Sequence, residues 1–222
     1  MSRRTRRSIN SSPESLETRA LLSGVNAFMD GDTLVVRGTA GNDDFSVMPD
    51  ELGNIVVSCN LTTESTSFPS ANVDKVDINA GDGNDNVVFL IEGEVTGGEG
   101  DDTLSGAADA VRGGLGDDSI DGSAGDDVPY GNGGNDTING LDGNDSINGH
   151  DGADSIDGGE GRDNLTGDAG PDVVRGGGGN DLLAGEQGDD TIFGGDGDDR
   201  ILGHEGADSL IGGEGDDRIS AN

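Results

Sequence analysis

From Gly113 to Ser220 a nine-residue unit is repeated twelve times end to end, and a period this strict decides the architecture before any local reading begins. One copy reads Gly212-Gly213-Glu214-Gly215-Asp216-Asp217-Arg218-Ile219-Ser220; another reads Gly113-Gly114-Leu115-Gly116-Asp117-Asp118-Ser119-Ile120-Asp121. Every copy has Gly at its first and fourth positions and Asp at its sixth. The sixth-position acids are Asp118, Asp127, Asp136, Asp145, Asp154, Asp163, Asp172, Asp181, Asp190, Asp199, Asp208 and Asp217. The eighth position is aliphatic, running from Ile120, Ile138 and Ile147 to Leu210 and Ile219, and only Pro129 breaks the series.

The glycines at the first, fourth and often second positions are read as sites of positive φ and tight turns. The other half, such as Thr191-Ile192-Phe193, reads as a short strand with alternating faces, so that only the eighth position is expected to point inward. Turn followed by strand, repeated, gives a coil of parallel strands. Two nonapeptides complete one coil, which places loops on the same side eighteen residues apart.

Such a coil has a thin core, because one aliphatic side chain must offset the ordering of nine backbones. Charge makes the balance worse. The chain carries a net charge of −34, and residues 97–222 hold no lysine and only Arg112, Arg162, Arg175, Arg200 and Arg218 among many acids. Stacked coils crowd those carboxylates, so a counter-charge is required. The loops offer carboxylates beside glycine carbonyls, with no thiols or clustered imidazoles. Hard oxygen donors of this kind select Ca²⁺ over zinc or copper.

The repeat resembles the glycine- and aspartate-rich nonapeptide G-G-x-G-x-D-x-U-x of the RTX (repeats-in-toxin) family, the hemolysin-type calcium-binding repeat. The resemblance implies an all-β fold, a right-handed parallel β-roll (β-helix), with each Ca²⁺ held between one loop and the next loop of the same stack. Carried over residue by residue, one stack pairs Asp118 with Asp136, then Asp154, Asp172, Asp190 and Asp208. The other pairs Asp127 with Asp145, then Asp163, Asp181, Asp199 and Asp217. That makes about ten inter-loop calcium sites.

Three segments are expected. Residues 1–23 form a basic, Ser-rich disordered tail with Arg3, Arg4, Arg6 and Arg7, not followed by the apolar run of a cleavable signal peptide. Within it Leu16-Glu17-Thr18-Arg19-Ala20-Leu21-Leu22 resembles the LEPR-XLL motif near the N-terminus of some large exported bacterial proteins, with Thr18 in place of its proline, and suggests a sorting role. Residues 24–96 read as irregular β coils leading into the roll, with short apolar runs such as Thr33-Leu34-Val35-Val36 and Asn54-Ile55-Val56-Val57 between Gly, Asn and Asp turns. A separate small β-sandwich is the alternative. Two isolated repeat-like copies, Gly38 to Ser46 and Gly81 to Val87, make Asp43 and Asp85 possible ligands, but of incomplete sites lacking an in-phase neighbour. The roll proper occupies 97–222. The copy starting at Gly106 is two residues short, so a distorted loop with weak or no metal binding is expected around Asp102 and Asp109. Pro129 is expected to interrupt or bulge its strand.

Other chemistries find little support. His150 and His204 both occupy the second repeat position, where they are expected in solvent-facing loops. A zinc protease needs two His one helical turn apart with a Glu between, and a serine hydrolase needs a Gly-x-Ser-x-Gly elbow; neither is present. The loops lack the Glu of an EF-hand and the βαβ context of a dinucleotide fold. A strongly acidic repeat has the wrong sign for nucleic acid, and no long apolar segment suits a membrane span. The single Cys59 excludes an internal disulfide framework and reads as a small buried hydrophobe. No enzyme activity is expected. Two functional classes remain: a secreted calcium-binding module that folds on extracellular Ca²⁺, and a non-catalytic adhesin or matrix spacer with a cell-surface or polysaccharide partner. Many RTX proteins continue past the repeats into a segment that addresses a secretion channel, whereas Ala221-Asn222 alone follow the last repeat here. Export through the N-terminal segment, a fragment and a degenerate relative are all compatible with that departure. The last coil, lacking a cap, is expected to fray or associate end to end.

Overall fold

The strand of most repeats is longer than its aliphatic position alone suggests; the three-residue strands at Ser119–Asp121 and Arg218–Ser220 are the exceptions. The full strand runs from the seventh position through the third of the next copy, as in Ser146–Asp151, and only positions four to six turn the chain. Two residues of such a strand are buried, Ile147 at the eighth position and Gly149 at the first. The expectation of a single inward position is therefore corrected. The strand does not stop at the ninth position, so its alternation brings the next glycine to the same face.

The computed structural model describes residues 19–22, 24–60, 62, 64–91, 93–107 and 110–221. The basic start of the chain, the first three residues of the LEPR-like segment (16–18) and Asp109 lie outside these. In chain order the strands are β1 (Arg19–Leu22), β2 (Val25–Asp30), β3 (Thr33–Arg37), β4 (Asp44–Pro49), β5 (Ile55–Cys59), β6 (Ser65–Phe68), β7 (Lys75–Asp82), β8 (Asn86–Leu90), β9 (Glu94–Glu99), β10 (Thr103–Ala107), β11 (Ala110–Leu115) and β12 (Ser119–Asp121). There follow β13 (Pro129–Gly133), β14 (Thr137–Asp142), β15 (Ser146–Asp151), β16 (Ser155–Glu160), β17 (Asn164–Ala169), β18 (Val173–Gly178), β19 (Leu182–Gln187), β20 (Thr191–Asp196), β21 (Arg200–Glu205), β22 (Ser209–Glu214) and β23 (Arg218–Ser220).

They form the two faces of a parallel β-solenoid. One sheet runs β3-β7-β9-β11 and on through the odd-numbered strands to β23; the other runs β4-β8-β10-β12 and on to β22. From β11 onward partners lie eighteen residues apart, as in Ile147 with Leu165 and Ile156 with Val174. Earlier coils are shorter: Asn86 pairs with Thr103, and Thr103 with Ser119. The first coil is the longest, because Thr33 pairs with Lys75 across an excursion that contains β5 and β6.

The region before residue 97 shares both sheets with the repeats, and β9 spans the boundary. Its distinctive feature is a pair of antiparallel meanders, β1-β2-β3 and β4-β5-β6, which extend the two sheets at the same end of the solenoid. Arg19–Leu22, assigned from sequence to the tail, is the outermost strand of the first. Here the core is wide and aromatic, with Phe45, Phe68 and Phe89 buried and Cys59 among them. Beyond it the core narrows to one aliphatic per strand, from Ile120 and Ile138 to Ile192 and Ile201. Pro129 does not bulge its strand; it opens β13 with its ring buried, and the pairing of β13 with β15 begins one residue later, at Tyr130.

The last two eighth-position residues are less covered: Leu210 is half-buried and Ile219 is 48% exposed. Ile156→Ala is therefore expected to cost about 2–5 kcal/mol in denaturant unfolding of the calcium-loaded protein. Ile219→Ala, at the same repeat position, is expected to cost about 0.5 kcal/mol or less. Equal costs would mean that the core does not follow the buried eighth positions.

Candidate metal centre

The turn of each repeat is Gly-x-Asp, and each of its three residues has a distinct task. The fourth-position glycine adopts positive φ throughout the regular coils, from Gly134 (136°) to Gly215 (133°), and an added Cβ on Gly161 would strike the carbonyl of Gly143 one coil away. The fifth residue, where it is Asn or Asp, accepts the fifth-position N–H of the next coil: Asn135 N–H donates to Asp117 Oδ1 (2.7 Å), and Ala153 N–H to Asn135 Oδ1 (3.0 Å). The sixth-position Asp bonds in the opposite direction. Asp118 N–H donates to Asp136 Oδ1 (2.8 Å), Asp136 N–H to Asp154 Oδ1 (2.8 Å), and Asp154 N–H to Asp172 Oδ1 (2.8 Å).

These bonds link the aspartates into two columns, one where the chain passes from the first sheet to the second and one where it returns. The first column continues through Asp190 to Asp208. The second joins Asp127, Asp145, Asp163, Asp181, Asp199 and Asp217. Both groupings follow the eighteen-residue phase expected from the repeat. The first column also begins earlier than expected. Asp43 N–H donates to Asp85 Oδ1 (2.7 Å), Asp85 N–H to Asp102 Oδ1 (2.8 Å), and Asp102 N–H to Asp118 Oδ1 (2.8 Å). Asp43 and Asp85 thus have in-phase neighbours, and Asp102 is not displaced by the short copy. The lost residues shorten the coil without moving its turn.

With Oδ1 used as an acceptor, the second oxygen decides what the column can do. Asp136, Asp154, Asp172 and Asp190 are no more than 2% exposed. Oδ2 of Asp85, Asp102, Asp118, Asp136, Asp145, Asp154, Asp163, Asp172, Asp181, Asp190, Asp199 and Asp208 is buried with no hydrogen-bond partner. A buried acceptor without a donor costs free energy, and a buried charge costs more. Beside each except Asp85, whose loop has Ala80 at that place, lies a first-position glycine that does not need positive φ; what it needs is the absence of a Cβ. A Cβ on Gly113 would fall against Asp118 Oδ2 and 2.8 Å from the Gly131 carbonyl of the next coil; on Gly158 it would meet Asp163 Oδ2 and the Gly176 carbonyl at 2.7 Å. Carboxylate and carbonyl oxygens thus converge with no hydrogen to share.

That donor set fits a hard cation. Among the described residues no three His, Cys, Asp or Glu side chains converge; the columns present single carboxylates with main-chain carbonyls, the pattern of calcium rather than zinc. The protonation of the metal-free columns points the same way. Burial pushes Asp118 and Asp172 up to about 7, and Asp85, Asp102, Asp136, Asp145 and Asp181 up to about 6; the N–H bond from the neighbouring aspartate opposes this and nearby carboxylates reinforce it. Asp154, Asp163, Asp190 and Asp199 are raised too, chiefly by burial.

The histidines lie elsewhere. They sit on β15 and β21 rather than in loops, half-exposed on the outer face, with His150 Nδ1 3.3 Å from Asp168 Oδ2 and His204 Nε2 3.5 Å from Glu186 Oε1. No helix among the described residues is long and apolar enough to cross a membrane. The model of the RTX calcium-binding nonapeptide repeat matches residues 94–110, 107–128, 130–165, 157–192 and 193–222, more than half of the chain. No curated protein matches the chain.

The raised aspartates set a pH dependence whose sign is opposite to that of ordinary salt-bridged acids. Between about 4 and 7 the metal-free fold holds protons that the unfolded chain has released, so its stability falls as pH rises through that window. Circular dichroism in excess chelator is expected to show more strand at pH ~5 than at pH ~8. A signal that is flat or grows toward pH ~8 would contradict the burial of these carboxylates.

Proposed function

Because the chain belongs to the RTX calcium-binding nonapeptide-repeat family, we propose that its calcium-binding β-roll works outside the cell as a module that folds when it meets extracellular Ca²⁺. The observation that carries this reading is the row of buried Oδ2 atoms with no partner. In a calcium-poor compartment the ionised columns repel one another, and the narrow aliphatic core of the repeats is a weak counterweight. Where calcium is abundant, the ion neutralises the stacked carboxylates of neighbouring loops. Binding to the folded state alone then shifts the folding equilibrium by mass action.

The chain's own residues supply the cage. Sixth-position aspartates provide charge, first-position carbonyls provide neutral oxygen, and the glycines beside them keep side chains out of the space. The position-five and position-six ladders hold each turn against the next, so the oxygens of two loops come into reach together. The reading includes no catalytic step; each histidine faces a carboxylate on the outer face of the first sheet.

Chelation at pH ~7.5 is expected to remove most strand circular dichroism from the repeats, and calcium to restore it. A spectrum indifferent to chelator would exclude calcium-driven folding. Asp163→Ala is expected to disturb two levels at once. Its Oδ1 receives the Asp145 N–H and its Oδ2 converges with the Gly176 carbonyl. The calcium midpoint for folding should rise several-fold, and a wild-type midpoint would refute the sharing.

A further inference from the structure

The outer face of the second sheet carries charges that the fold leaves unanswered. Leu141, Gly159 and Gly177, at the second position, floor a groove that crosses β14, β16, β18 and β20. Asp142, Glu160 and Asp196 stand on one side of it at the third position, and Asp157 on the other at the ninth. Asp142 lies directly opposite Glu160 in the ladder, and like charges so placed destabilise a sheet. Among the described residues none of the four makes an ion pair. Arg175, opposite Asp157 in the ladder, lies over the ring of Phe193 instead. The groove thus has a floor largely of bare backbone, acidic walls and no cation of its own.

The chain has one stretch of the opposite sign. Its first thirteen residues contain Arg3, Arg4, Arg6 and Arg7 and no acid, and they precede Arg19, where β1 begins. Two antiparallel pairings make β1 parallel to β3, so Arg19 lies on the flank where first-sheet strands start and second-sheet strands end. Those ends carry Leu141-Asp142, Gly159-Glu160 and Asp196, so the stretch enters the fold on the flank of the groove. Distance agrees. From β1 to β3 is two strand spacings and from β4 to β14 is four, about 29 Å in all along the axis. The twelve residues from Arg7 to Arg19 reach about 40 Å when extended. The groove itself spans three spacings, about 14 Å, and Arg3 to Arg7 extended span about 13 Å.

We propose that the basic stretch Arg3-Arg4-Thr5-Arg6-Arg7 docks along this groove, its backbone over Gly159 and Gly177 and its guanidinium groups on Asp142, Asp157, Glu160 and Asp196. Tethering gives it a high effective concentration there, and the planar guanidinium fork suits carboxylates. The roll thereby supplies part of its own counter-charge. The site needs stacked coils, because its walls come from different coils, and it does not depend on which ion holds the aspartate columns.

The test is the rate at which trypsin cleaves after Arg3, Arg4, Arg6 and Arg7 in the full chain with calcium in excess. Released peptides are followed by mass spectrometry and the fold is checked by circular dichroism. Neutralising the walls together (Asp142→Asn, Asp157→Asn, Glu160→Gln and Asp196→Asn) is expected to raise that rate about tenfold, as loss of several exposed ion pairs should. A second variant (Asp82→Asn, Glu99→Gln, Asp151→Asn and Glu205→Gln) removes four exposed acids from third positions of the first sheet. It is expected to keep the wild-type rate. Salt at about 1 M, which screens charges beyond about 3 Å, is expected to bring wild type to the rate of the groove variant. Equal rates in wild type and groove variant, an equal rise in both variants, or protection that survives the salt would overturn the proposal. Protection lost on dilution would place the stretch in the groove of another copy and overturn it too. If the fourfold groove variant does not fold, the pair Asp142→Asn and Glu160→Gln, which relieves a repulsion, decides in its place.

Discussion

The two oxygens of a buried aspartate cannot both be satisfied by this backbone, and the rest of the structure follows from that shortfall. Oδ1 accepts the N–H of the neighbouring sixth-position aspartate, at 2.8 Å between Asp118 and Asp136 and 3.0 Å between Asp199 and Asp217. Oδ2 faces a main-chain carbonyl. The hydrogen bond sets the spacing of the turns, and the unmet oxygen sets their requirement for positive charge. An asparagine at this position would keep the first task and lose the second. Glycine at the first position of the repeats belongs to the same constraint, since a side chain there would occupy the space in which the oxygens converge; only the Asp85 loop, ahead of the repeats, carries a methyl group there, on Ala80.

The period of the repeat was legible because one requirement recurs at every turn: Gly to reverse the chain, Asp to join the column, an aliphatic residue to fill the core. The eighteen-residue phase and both groupings of aspartates follow from it. Harder to read were features whose cause lies one coil away. First-position glycine looks like fourth-position glycine in a sequence, yet the fourth is there for its φ and the first for its missing Cβ. The fifth position looked unconstrained, although Asp117, Asn135 and Asn144 there already hint at a ladder of Asx acceptors. Asp85 looked isolated because it lies forty-two residues after Asp43 and seventeen before Asp102, neither being the period of the repeat; the first coil is lengthened by β5 and β6 yet returns to phase. The antiparallel meanders carry no periodic signal at all.

Those meanders divide the labour within the fold. In the region around Phe45, Phe68 and Phe89 each coil is broad enough to bury aromatic side chains, and the sheets are extended by ordinary hairpin pairing. Among the repeats the same two sheets enclose only a line of Ile, Leu and Val. Hydrophobic burial scales with area, so the metal requirement is greatest where the coils are narrowest. The columns and the sheets cross the boundary together, through β9 and the Asp85–Asp102 bond. The well-packed end thus presents an edge, already in register, to the first coil that depends on charge neutralisation.

The nine-residue unit is also less symmetrical than it looks, because its two copies per coil face different sides. On the first sheet the second position carries Asn132, His150, Asp168, Glu186 and His204, all at positive φ between 68° and 78°. A non-glycine residue there costs roughly 1–2 kcal/mol. On the second sheet the same position is mostly glycine, at Gly159, Gly177, Gly195 and Gly213, where that cost vanishes. Relief of strain would favour glycine on both faces, so the first face must gain something from its side chains. Its stacked partners show what: His150 lies against Asp168 and against the ring of Tyr130, and Glu186 against His204. The second-position glycines leave a shallow groove walled by Asp157, Glu160 and Asp196, and the rungs of this face come from the ninth position instead, where Asn139 Nδ2 donates to Asp121 Oδ1 (2.6 Å) and Arg175 lies over the ring of Phe193. The structural unit is therefore the eighteen-residue coil, with one face braced at the second position at the expense of backbone strain and the other braced at the ninth, its second position mostly relieved by glycine.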